Sequence, residues 1–103
     1  MICQKLFKPI FNHLSFLILL SDVRLSFNYI RKISSGTFHN LRNLKSIMLS
    51  GNAIKTVQSY AFKSLPNLET LLLNGNMIDS IESLAFSGLT NIHKIELQNN
   101  RLR

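Results

Sequence analysis

The 103-residue sequence has no tryptophan, a single cysteine, two prolines and four glycines. One cysteine excludes an internal disulfide, and Cys3, lacking a partner, reads as a bystander rather than a nucleophile. So little proline and glycine excludes collagen-like and proline-rich low-complexity chains. No run of about 18 apolar residues exists, so no conventional membrane span is written here. The histidines His13, His39 and His93 are scattered and lack an acid at motif spacing, which makes a poor metal or catalytic kit. A G-x-S-x-G elbow, a phosphate-binding G-x-x-x-x-G-K-[ST] loop and a G-x-G-x-x-G turn are all missing. No N-x-[ST] sequon occurs, which speaks against a glycosylated surface over this stretch. The absences point away from catalysis, and no cofactor is expected.

Acidic residues are scarce as well, five against twelve Lys and Arg, for a net charge of +7. The surplus is uneven: residues 1–51 carry Lys5, Lys8, Arg24, Arg31, Lys32, Arg42 and Lys45 against Asp22 alone. Such a half can attract nucleic acid, heparin-like polyanions or anionic lipid. Only Arg31 and Lys32 are adjacent, however, so the charge reads first as a solvated surface that maintains solubility. A hydrophobic content of 46% against 17% charged residues places the chain among folded domains rather than disordered ones.

What the sequence has in abundance is repetition. Asn28, Asn52, Asn76 and Asn100 stand 24 residues apart. Three, five and eight positions before them come Leu25, Val23, Leu20; Leu49, Ile47, Leu44; Leu73, Leu71, Leu68; and Leu97, Ile95, Ile92. After each asparagine follow Ile30, Ile54, Ile78, Leu102, then Ile33, Val57, Ile81, then Phe38, Phe62, Phe86, and lastly Leu41, Leu65, Leu89. The alternation before each asparagine is that of a short strand with one buried face. A 24-residue unit cannot enclose a core alone, so each coil must bury its leucines against the next and lay its strand parallel to the neighbouring one. An asparagine at the turn after the strand has the donors and acceptor to satisfy backbone groups of its own and the adjacent coil. Gly51 and Gly75 read as turn glycines just before it.

These columns resemble the typical 24-residue class of leucine-rich repeats; the best copies are LRNLKSIMLSGNAIKTVQSYAFKSL (residues 41–65) and LPNLETLLLNGNMIDSIESLAFSGL (residues 65–89). The resemblance covers residues 17–103, divided into repeats 17–40, 41–64 and 65–88 and a partial repeat 89–103. It implies an α/β solenoid: a curved coil with a parallel concave β-sheet and short irregular or 3-10 segments on the convex side. Ser34 to Thr37, Gln58 to Ala61 and Glu82 to Ala85 are too short there for full helices. The class is seen mostly in extracellular proteins, among them ectodomains of leucine-rich-repeat G-protein-coupled receptors, Toll-like receptors and Slit-type guidance proteins, and implies a binding role toward another macromolecule.

Strand positions six, four and two before each asparagine point outward. They form the columns Asp22, Ser46, Thr70, Lys94; Arg24, Met48, Leu72, Glu96; and Ser26, Ser50, Asn74, Gln98. Met48 and Leu72 are apolar where the repeat does not require it, and the charged pairs Asp22/Arg24 and Lys94/Glu96 flank them. An apolar centre with a polar rim is the layout of a modest protein-binding patch. Lys45 with Glu69 and Lys55 with Asp79 are expected to neighbour one another on adjacent coils as exposed ion pairs.

Both ends leave readings open. Residues 1–16 are either a degenerate preceding repeat or part of a signal-like segment containing IFNHLSFLILL. Phase favours the repeat, since Leu6, Leu14 and Leu17 fall 24 residues before Ile30, Phe38 and Leu41. At the other end Ile92, Ile95, Leu97 and Leu102 lack a following coil, so the expectation is a fragment of a longer repeat protein, or an edge covered by self-association or a partner. The sequence therefore predicts a non-enzymatic, protein-binding module of an extracellular or membrane-anchored receptor or adhesion protein. Its protein ligand is expected on the concave face at Met48, Leu72, Arg24, Asp22, Lys94 and Glu96. A polyanion ranks behind that ligand, and no specific nucleic acid is expected. Spacer repeats within a larger protein and an intracellular scaffold are the alternatives.

Overall fold

A computed structural model describes residues 20–38 and 41–102. The expectations for residues 1–16, and for the signal-like stretch up to residue 19, lie outside the described residues. Each coil supplies one three-residue strand just before its asparagine: β1 (Asp22–Arg24), β3 (Ser46–Met48), β5 (Thr70–Leu72) and β7 (Lys94–Glu96). They pair in parallel, in the order β1-β3-β5-β7, with a register offset of one repeat throughout. The central residues Val23, Ile47 and Leu71 are buried, whereas the residues before and after them face outward. This is the period-two division anticipated from the alternation.

A second sheet was not legible in the pattern. The two-residue strands β2 (Lys32–Ile33), β4 (Thr56–Val57) and β6 (Ser80–Ile81) pair in parallel as a narrow three-stranded ribbon. It arises because the column of Ile33, Val57 and Ile81 turns inward at the same point of every coil, which brings the flanking backbone into register. The rest of each coil is turn, and no helix occurs among the described residues. The α component of the expected α/β class is thus reduced to irregular turns, as the short convex segments suggested.

The core is a stack of columns. Leu44, Ile47, Leu49, Leu68, Leu71 and Leu73 have no solvent exposure, nor have Ile30, Ile54 and Ile78. Phe38, Phe62 and Phe86 form a ladder, with ring centroids 5.8 and 6.1 Å apart and rings within 15° of parallel. Burial weakens along the last coil, where Ile92, Ile95 and Leu97 are only partly covered.

The asparagines perform the role their chemistry suggested. The Asn52 amide donates to Leu49 O of its own coil and to Leu25 O of the preceding one, both at 3.0 Å. Its Oδ1 accepts from Asn28 N at 3.0 Å and Ile30 N at 3.2 Å. Asn76 and Asn100 repeat the arrangement, accepting from Ile54 N and Ile78 N and donating across to Leu49 O and Leu73 O. Each such amide closes an otherwise unpaired stretch of buried backbone between coils. Asn28 Oδ1, the same atom in the first described coil, is buried with no hydrogen-bond partner.

Candidate protein-binding face

The outward positions of β1, β3, β5 and β7 converge on one surface because the register is constant. One row across the sheet reads Arg24, Met48, Leu72, Glu96, and the next Asp22, Ser46, Thr70, Lys94. Met48 and Leu72 occupy the two central strands side by side and are half-buried. A third row, Ser26, Ser50, Asn74 and Gln98, lies beyond the strand ends. There Ser50 Oγ donates to Asn74 Oδ1 at 2.6 Å, tying adjacent coils together.

The charged residues stand on the two outer strands, about three strand spacings, or roughly 14 Å, apart. Arg24 Nε donates to Asp22 Oδ2 at 2.6 Å, and Lys94 Nζ lies 3.1 Å from Glu96 Oε2. Both pairs join side chains two residues apart on one strand. Their order is opposite, acid before base on β1 and base before acid on β7. Each row therefore runs from one sign to the other, and the face as a whole carries no net charge. With Arg24 and Lys94 mostly in solvent, each pair is worth at most about 1 kcal/mol. Their consequence is geometric: long side chains are held down at the edges, beside the apolar centre. All six residues expected from the sequence thus lie on one sheet face.

The other expected ion pairs do not form. Lys45 and Glu69 are neighbours, as are Lys55 and Asp79, but their link is backbone. Glu69 N donates to Lys45 O at 2.9 Å and Asp79 N to Lys55 O at 3.1 Å, while the exposed side chains remain apart. Their charged ends stay hydrated because an exposed pair offers too little to order two long side chains.

Sequence reasoning overlooked two exposed residues of the first described coil, beside its asparagine. Phe27 and Tyr29 are 78% and 71% exposed, the most exposed large hydrophobic residues described. Phe27 has φ = 58°, in line with Gly51 and Gly75 at φ = 70° and Asn99 at φ = 60° in the later coils. The coil demands a left-handed backbone at this point, and the first coil meets the demand with a phenylalanine, a strained choice. Its ring lies over Gly51, where an added Cβ would come 2.5 Å from Phe27 Cδ1. The signal was present in the sequence: an aromatic residue stands in a column otherwise filled by glycine and asparagine.

Among the described residues no three His, Cys, Asp or Glu side chains cluster to hold a metal ion. No helix among them is long and apolar enough to cross a membrane. No curated protein matches the chain. A family model described as "Leucine rich repeat" matches residues 18–78 and again residues 52–102. Repeats of this kind commonly serve as protein-interaction modules and are generally non-enzymatic. The match spans the same coils that the asparagine ladder and the parallel register tie together, and the chain belongs to the leucine-rich repeat family.

Proposed function

We propose that the chain is a protein-binding module whose protein ligand docks on the four-stranded sheet, centred on Met48 and Leu72 and rimmed by Asp22, Arg24, Lys94 and Glu96. The observation that carries this reading is the pair of apolar side chains on adjacent central strands, at positions the fold leaves free. A partner that covers them removes apolar surface from water, worth about 25 cal/mol per Å². The charges at the sheet edges favour a partner of complementary pattern and disfavour others. Because those four charges cancel, the face suits a protein surface better than a polyanion. By analogy with the extracellular members of the class, the module belongs to a cell-surface or secreted receptor or adhesion protein.

The test is the double change Met48→Asp, Leu72→Asp. Both side chains are outward-facing, so the melting temperature should stay within a few degrees of wild type, while proteins retained by the immobilised wild-type chain should no longer be retained. Equal retention by a folded double variant would overturn the site and make these coils a spacer for a site elsewhere.

A further inference from the structure

A left-handed backbone occurs at two more points of the coil, eight and twelve residues after the asparagine, although Leu84, at the first of these points in the third coil, is not left-handed. Gly36 stands at the first point in one coil with φ = 70°, and Gly88 at the second in another with φ = 90°. The coil between them has side chains at both: Tyr60 and Ser64, each with φ = 60°. A left-handed tyrosine is a costly choice, since the preceding coil has Gly36 at this position and the following one has Leu84 outside the left-handed region. Such strain marks a position held for some purpose other than stability.

Tyr60 and Ser64 share a cleft. It has a volume of about 530 Å³ and lies between successive coils, away from the four-stranded sheet, with Arg42, Lys63, Pro66 and Thr90 among its other walls. Its surface is mostly apolar, and no carboxylate lines it. Arg42 and Lys63 make no ion pair among the described residues, where the only two pairs are those on β1 and β7. Among the same residues, the hydroxyls of Tyr60, Ser64 and Thr90 have no hydrogen-bond partner.

We infer that this cleft binds a phosphate or sulfate monoester carried on a flat apolar ring. The guanidinium of Arg42 offers a planar fork of donors to ester oxygens and Lys63 a second positive charge. The hydroxyls complete the donor set, and the ring of Tyr60 with Pro66 provides a flat surface for the carrier. The strain at Tyr60 and Ser64 then has a reason: both residues bring ligand-binding groups to a point where glycine would bring none. This site is independent of the reading given to the sheet face.

Phenyl phosphate and phenyl sulfate are the probes, with phenol and inorganic phosphate as controls, each titrated into the full chain and followed by amide NMR shifts. One or both esters should shift the amides of Tyr60, Lys63, Ser64 and Gly88, and bind at least about tenfold more tightly than either control. A preference between the two esters names the natural group. Arg42→Gln with Lys63→Gln should weaken the ester about tenfold or more and flatten its salt dependence. Tyr60→Asn, which tolerates the left-handed backbone, should weaken it while leaving the fold intact. Absence of shifts with either ester at about 10 mM, equal binding of phenol, or unchanged affinity in the folded double variant would overturn the inference.

Discussion

Replacing Asn52 with leucine tests the reasoning behind the stack most sharply, because the residue's bonds can be followed one by one. The three carbonyls it serves keep a partner: Leu25 O still accepts from the Asn28 amide, Leu49 O from the Asn76 amide, and Ser50 O from Phe27 N. The two backbone donors do not, since Asn28 N and Ile30 N both give their protons to Asn52 Oδ1. Left unpaired, these N–H groups cost about 1–3 kcal/mol each, with the part-buried Asn28 N at the low end and the buried Ile30 N higher. A leucine buried in place of an amide returns about 2 kcal/mol. The weakened carbonyls add a little to the cost, so the net loss is about 2 kcal/mol. For a domain of this size that lowers the melting temperature by about 8–16 °C, measurable by circular dichroism. Asn28→Leu is the internal control. Its Oδ1 has no partner and Leu25 O retains the Asn52 amide, so no backbone donor is orphaned and the loss should stay near 1 kcal/mol. Equal melting temperatures for the two variants would refute the account of the asparagine as an inter-coil connector.

Two further outcomes follow from the packing. Phe62→Ala should cost about 3–5 kcal/mol in a urea melt, more than Phe86→Ala, because Phe62 is fully buried between two rings while Phe86 is half-buried beside one described ring. Gly51→Ala should destabilise more than Gly75→Ala, since both positions have φ = 70° but only the first brings a Cβ against the Phe27 ring. That difference should vanish in a Phe27→Ala background, a coupling of about 1 kcal/mol by double-mutant cycle.

Residues on the core side of each coil were readable because burial repeats. Leu49, Leu73 and the asparagines recur at a fixed interval, and one physical demand fixes each column, so the main sheet, its register and its outward rows follow directly. The ribbon of β2, β4 and β6 was hidden, because two residues per strand are too few for alternation to show. The Lys45–Glu69 and Lys55–Asp79 ion pairs failed for a different reason. Sequence fixes which coils adjoin, but an exposed side chain's conformation is decided by hydration and entropy. Phe27, Tyr60 and Ser64 were missed because a left-handed requirement shows in sequence only through the glycines that usually meet it. Gly36, Gly51, Gly75 and Gly88 trace those columns, and the informative residues are those standing where glycine is expected.

Charge divides the surface in a way that bears on function. The sheet face carries Asp22, Arg24, Lys94 and Glu96 and is neutral in sum, so the protein's net charge of +7 resides elsewhere. Arg31, Lys45, Lys55 and Lys63 project from the segments between strands and Lys32 from β2, all of them exposed. At physiological ionic strength charges are screened over about 8 Å, and even Lys45, which directly precedes β3, stands three residues, or about 10 Å, from Met48. A ligand centred on Met48 and Leu72 would therefore feel little of the basic surplus once docked, though the surplus would attract an acidic partner during approach. A polyanion would instead follow the turns and edges, releasing counterions and losing affinity steeply as salt rises. The repeat thus confines the two chemistries to different surfaces: its invariant columns build the stack, while the positions it leaves free hold apolar contact on the sheet and positive charge around it.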